Sequence, residues 1–270
     1  MEDQGNIFGN APTAPELVLD LLVADGGTLS AAAICRAGAL MGIEAQVVRV
    51  ALTRLLAQGK ISRSGRGSYV IERRRHALTD AVDRWWRHQH HQLPWQGGWI
   101  AVIDGDVRRQ NQKTWRRHQL ALQLRGFAAL SPGLWLRPDN LRGGVKAEQA
   151  SVRTLGLAPQ ALVVRMEGLD AQARNRADRL WDSLQLPQRY SAMADSLQES
   201  ARRLPAMPLA DATRESLLLG RHTIAALLRD PLLPAELMDG EPREHLTQLM
   251  RSYQRQARKV CRAFLAQTNP

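Results

Sequence analysis

Along residues 14–72 the apolar positions follow a helical period three times and then give way to two short strand-like stretches. Glu16–Ala24 predicts a short apolar helix stopped by Asp25-Gly26-Gly27. Ser30 is placed to cap a second helix over Ala31–Leu40, ahead of a Met41-Gly42 turn. A third is predicted from about Glu44 to Gln58. At about 100° per residue it gathers Val48, Ala51, Leu52 and Leu55 on one face, with Val47 at the edge. Gln46, Arg49, Val50 and Thr53 fall on the opposite face. Gly59 ends this helix, and two short strands follow around Ser64-Gly65-Arg66-Gly67, whose glycines suit the positive φ of a tight hairpin tip.

Beyond that point the pattern predicts a helical connector over 76–91, with Trp85-Trp86, broken at Leu93-Pro94-Trp95-Gln96-Gly97-Gly98. Trp99–Asp104 reads as a buried strand and 113–125 as a helix. Phe127–Leu130 and Gly133–Leu136 read as two strands, Val145–Leu155 as a helix and Ala161–Met166 as a last strand. Strand–helix–strand–strand–helix–strand is the split βαβ arrangement of a ferredoxin-like sheet. From Gln172 the signal is helical, with breaks at Pro187, Pro205 to Pro208 and Asp230-Pro231-Leu232-Leu233-Pro234. The expectation is therefore an α+β chain: a disordered start (1–13), a winged helix-turn-helix domain (14–75), a helical connector (76–97), a central ferredoxin-like split βαβ domain (98–168) and a helical C-terminal domain (169–270).

Helix, glycine, strand, glycine-rich tip, strand is the order in which a DNA-reading helix is joined to a β-wing. The outward face of the third helix suits that task. Arg49 can meet guanine with two hydrogen bonds, Gln46 can meet adenine, and Val50 or Thr53 can touch a thymine methyl. Lys60, Arg63 and Arg66 lie on the hairpin, with Arg66 at its tip, where phosphate or a minor groove is within reach. Tyr69 in the return strand is expected to pack, and Arg73-Arg74-Arg75 extends the basic run.

Charge supports this partner class. The chain of 270 residues has a net charge of +11. Residues 1–41 hold one base and five acids, whereas 42–92 hold ten bases and four acids. A positive step at the reading helix is the footprint of a polyanion partner. Residues 98–157 add ten bases against four acids, a second surplus suited to a small anionic ligand such as a coenzyme A thioester or to further DNA contact. No basic amphipathic helix with aromatic anchors stands out, which weighs against a membrane, and no apolar run nears the roughly 20 residues of a bilayer span. The acidic, polar first residues resemble neither a signal nor a transit peptide. Cys35 and Cys261, far apart and each in a helical pattern, read as reduced structural thiols. A cytoplasmic, bacterial, nucleoid-associated protein is expected.

Other constellations carry less. His76, His88, His90 and His91 near Asp80 and Asp83 invite a metal, but 90 points away from the face that 88 and 91 share, and no metal is expected. Asp104 and Asp106 after a buried strand suggest an alternative, a metal-dependent nuclease built on the central domain. Gly105 and Arg108-Arg109 suit a turn as well. Gly97-Gly98 and Gly143-Gly144 are isolated pairs rather than a phosphate loop, and no serine elbow or Cys–His pairing is visible. No catalytic residues and no cofactor are expected. The tryptophans read as core, with Trp99 and Trp135 as candidates to border a pocket.

Three stretches together resemble the PaaX family of bacterial transcriptional repressors, which control phenylacetate and related aromatic catabolism. The first runs from Gly42-Ile43 through Val47, Arg49, Ala51-Leu52, Arg54-Leu55 and Gly59 to Gly65-Arg66 and Ser68-Tyr69. The second is Trp99, Gly126-Phe127, Leu130, Gly133, Leu134-Trp135-Leu136 and Pro138. The third is Asp230-Pro231-Leu232-Leu233-Pro234 with Glu236-Leu237. The chain departs from the family pattern at Glu44, where a capping Ser or Asn is usual. It departs again at Val70-Ile71-Glu72, and at Asp239-Gly240-Glu241-Pro242, where a tryptophan is usual. The resemblance implies a homodimeric repressor of a catabolic operon that binds a palindromic operator through Gln46, Arg49, Val50, Thr53 and Arg66. It also implies release by a small effector, an aryl- or acyl-CoA thioester. A DNA-binding protein without an effector is the remaining alternative.

Overall fold

The computed structural model describes residues 11–25, 27–72, 92–105 and 112–267. The fold is mixed α and β, with two antiparallel sheets and a helical C-terminal region. Two compact units divide the chain. One comprises Met1–Trp85, Met193–Ala225 and Thr247–Pro270; the other comprises Trp86–Ala192 and Ala226–Leu246.

The first unit opens with α1 (Ala14–Asp25), β1 (Leu29–Ser30), α2 (Ala31–Leu40) and α3 (Ala45–Ala57), then β2 (Ile61–Gly65) and β3 (Ser68–Ile71). Ser30 caps α2 as the sequence predicts, its hydroxyl accepting from the Ala33 N–H at 3.1 Å. β1 and β2 flank β3, both antiparallel to it, with the ladder shifting register between Arg63 and Gly65. The core is built from Leu17, Val18, Leu21 and Leu22 of α1, Ile34 of α2, Val48, Leu52 and Leu55 of α3, and Ile61 and Ile71 of the hairpin. The last turns of a long helix, α9 (Glu241–Ala266), complete it with Cys261, Phe264 and Leu265, and Cys35 packs against the same core. The Arg36 guanidinium donates to the Leu265 carbonyl at 2.8 Å, closing the end of that helix onto α2. The helices α7 (Leu186–Arg203) and α8 (Leu209–Leu228) contribute residues to both units.

The second unit contains β4 (Trp99–Ile103), α4 (Gln112–Leu124), β5 (Ala128–Ser131), β6 (Leu134–Pro138), α5 (Gly144–Leu155) and β7 (Leu162–Met166), followed by α6 (Ala171–Asp178). These six elements of the sheet layer fall within two residues of their predicted ends. The sheet order is β5-β6-β4-β7, antiparallel throughout. Alternation along the strands sorts the side chains to two faces. Ile100, Val102, Trp135 and Val163 pack with Leu122, Phe127, Val152 and Leu157. On the other face Trp99 stands edge-on to Trp95, with ring centres 5.0 Å apart, and stacks against Trp181 at 6.3 Å.

Buried charge in this unit is paired. Arg125 grips Glu148 through two hydrogen bonds of 2.8 and 2.7 Å. Arg137 is fully buried beside Glu148, and desolvation pushes its guanidinium down to about 10. The segment Asp230–Pro234 has no regular structure, yet the carbonyls of Pro231, Leu232 and Leu233 accept hydrogen bonds. Gln92 and Asn140 donate to Leu232, Gln92 and Arg243 to Leu233, and Arg137 to Pro231.

Candidate nucleic-acid interface

The third helix places the predicted reading residues where the sequence assigned them. Val48, Ala51, Leu52 and Leu55 are buried, and Gln46, Arg49, Val50 and Thr53 are exposed. Glu44 is its N-cap residue and makes no side-chain cap hydrogen bond, so no side chain of the N-cap satisfies the first N–H groups of the helix. Val47, expected at the edge of the packed face, is instead half exposed, and Arg54 shares the outward surface. One determinant went unread in the sequence: Gly38 of α2. A Cβ at that position would sit 2.8 Å from Val48 Cγ2 and 3.3 Å from the Ile43 carbonyl. A bare glycine therefore sets how closely α2 approaches the start of α3. Sequence offered only a lone Gly in a helical pattern as the signal.

The hairpin projects Arg63 and Arg66 into solvent, and Lys60 is half buried at its base. Of the two tip glycines, Gly67 is the left-handed one, at φ 73°; Gly65, at φ 159°, is close to extended backbone. Ser64 donates to Thr28 Oγ1 at 3.3 Å, tying the tip to the loop before β1. Tyr69 packs against the core, as expected. From Ala45 to Ile71 the chain carries Arg49, Arg54, Lys60, Arg63 and Arg66 and not one acid. The charged side chains of α3 and the hairpin are thus all basic, with exposed Glu44 at the N-cap of α3 just before them.

Asp104, the carboxylate of the nuclease alternative, is buried and holds four pieces of the second unit together. Its Oδ1 accepts from His118 Nε2 at 2.9 Å, and its Oδ2 accepts from Trp135 Nε1 at 3.2 Å. His118 Nδ1 accepts from the Ala158 N–H at 3.1 Å, which fixes the ring proton on Nε2. The Asp104 N–H donates to the Gly133 carbonyl at 2.9 Å. Both carboxylate oxygens are therefore engaged by protein donors. Trp99 lies in the core rather than at an opening, and Trp135 spends its N–H on Asp104.

Arg73, Arg74 and Arg75, His76, Asp80, Asp83, Trp85, Trp86, His88, His90, His91, Asp106, Arg108 and Arg109 lie outside the described residues, as do residues 1–10. Among the described residues no three His, Cys, Asp or Glu side chains gather where they could hold a metal ion, and no helix is long and apolar enough to cross a membrane.

No family model and no curated protein matches the chain. Among solved structures it is similar to the uncharacterized protein Rv0674 from Mycobacterium tuberculosis. The identity is 24% and the TM-score 0.60, over 93% of this chain and 98% of that one.

Proposed function

We propose that the chain is a sequence-specific DNA-binding transcriptional regulator, a repressor of the PaaX type. In this reading α1–α3 with the β1-β3-β2 sheet form a winged helix-turn-helix. The order β5-β6-β4-β7, with two split βαβ units, forms a ferredoxin-like domain. One observation carries the proposal: Gln46, Arg49, Val50 and Thr53 stand exposed on a helix whose opposite face is core, beside a hairpin bearing Arg63 and Arg66, with no acid across the whole stretch.

Two further expectations attach to this reading. A homodimer is supported by Ile103 and Leu162, neighbours across β4 and β7 that are 37% and 58% exposed and offer apolar area to a second copy. A small anionic effector, a coenzyme A thioester, is supported by Lys113, Arg116 and Arg117, exposed along α4, a helix without a single acid. The nuclease alternative is disfavoured by Asp104, whose oxygens already serve His118 and Trp135. The test is enrichment of duplex sequences from a randomised library by the full chain, followed by footprinting. A protected palindrome is expected; uniform, sequence-blind retention counts against the reading.

A further inference from the structure

The outward face of α3 holds fewer polar donors than its sequence suggests. Thr53 donates its hydroxyl hydrogen to the Arg49 carbonyl one turn back, at 3.1 Å. What it offers a partner is an acceptor lone pair and a methyl group. Val47 and Val50 are 49% and 40% exposed, whereas Val48, Leu52 and Leu55 of the same helix are buried, and neither exposed valine belongs to the core of its unit. Val47 and Val50 are three residues apart, as are Val50 and Thr53, so the three methyl-bearing side chains are neighbours on one surface. Gln46 and Arg49 border them. Every charged side chain from Ala45 to Ile71 is basic, with exposed Glu44 at the N-cap of α3 the acid that precedes them, so the net charge of this surface attracts a polyanion and repels a second copy of itself.

Resting on the reading of α3 as the base-reading helix, we infer that Val47, Val50 and the Thr53 methyl recognise thymine C5-methyl groups. The operator half-site then carries adjacent thymines facing the helix, beside a guanine met by Arg49. The thymine methyl is the one apolar group that a base presents in the major groove. Burying one methyl against an aliphatic side chain is equivalent to about a three- to five-fold change in affinity. Val47 thereby becomes a specificity residue, although periodicity alone places it at the edge of the packed face.

Uracil keeps every donor and acceptor of thymine and lacks only the methyl. The experiment takes an operator selected by the full chain from a randomised duplex library and replaces each thymine in turn by deoxyuridine. Dissociation constants are measured at fixed salt for the unmodified protein, Val47→Ala and Val50→Ala. At two or three positions deoxyuridine should weaken binding by about three- to five-fold. The loss at each should vanish in the matching alanine variant, and binding to random duplex should be unchanged. An operator that tolerates deoxyuridine at every position overturns the inference and leaves the DNA-binding reading standing. A library that yields no enriched sequence overturns both. A change in oligomeric state of the DNA-free protein on Val47→Ala plus Val50→Ala shows that the valines cover a protein interface, and also overturns it.

Discussion

Asp104 illustrates how one buried side chain separates structure from chemistry. Replacing it by alanine strands the His118 Nε2–H and the Trp135 Nε1–H in the interior, at a cost of about 2–4 kcal/mol in unfolding free energy. A lowered urea midpoint is the expected result. Unmodified protein incubated with Mg²⁺ or Mn²⁺ should leave duplex DNA and single-stranded RNA intact; cleavage that disappears in Asp104→Ala contradicts the regulator reading. Asp230 gives a pH signature. Its burial, only partly offset by Arg243, the Leu232 N–H and Tyr190, holds the carboxyl above the ordinary range. With the folded value raised, the stability contributed by its proton is full below the unfolded value of roughly 4 and is lost as pH rises through the folded value. Asp230→Asn keeps an oxygen for the Leu232 N–H and carries no titrating proton. Its urea midpoint should therefore shift in its favour relative to the unmodified chain between pH 4 and neutrality. Neither role was legible in the sequence, because both depend on donors far along the chain: His118 and Trp135 for one, Tyr190 and Arg243 for the other.

At the scale of elements, the two arms of the hairpin and α3 should behave differently toward DNA. Arg63→Ala and Arg66→Ala remove exposed charges from a loop. Each should weaken operator and random duplex alike and lower the slope of log affinity against log salt by about one. Gly38→Ala should act through packing, because its Cβ meets Val48 and the Ile43 carbonyl. Operator affinity and thermal stability should fall together, with an unchanged salt slope for whatever binding remains. The elements themselves were largely legible. The face assignment of α3 follows from Val48, Ala51, Leu52 and Leu55, and the Ser30 cap from its place before an apolar run. The strands of the second unit are legible as short apolar runs between turn residues, but Trp99–Ile103 is apolar at every position, so no alternation fixes its register in advance. Val47 was harder to place, since at the border of a helical face periodicity cannot decide between burial and exposure.

At the scale of the whole molecule, the helical tail expected over 169–270 is divided between the units. Cys261, Phe264 and Leu265 of α9 close the core around α1–α3, whereas Asp230 and Arg243 belong to the second unit. Such partition rests on long-range packing, to which a local apolar period is blind. Leu162→Asp should convert a dimer to a monomer in sedimentation if the exposed edge of the second sheet joins two copies. Titrating operator complexes with acetyl-CoA, phenylacetyl-CoA and the free acids should show release by a thioester beyond an ionic-strength control. Moving occupancy from 99% to 1% requires about 5.5 kcal/mol of differential affinity, so a weak general effect of charge does not suffice. Whether α3 reads base sequence is decided by comparing Arg49→Ala with the unmodified chain on a selected operator and on random duplex at one salt concentration. A loss of about 1–3 kcal/mol is expected on the operator, with relaxed preference at a single base pair and little change on random DNA. An equal loss on both duplexes would contradict base reading, because Arg49 would then meet only phosphate.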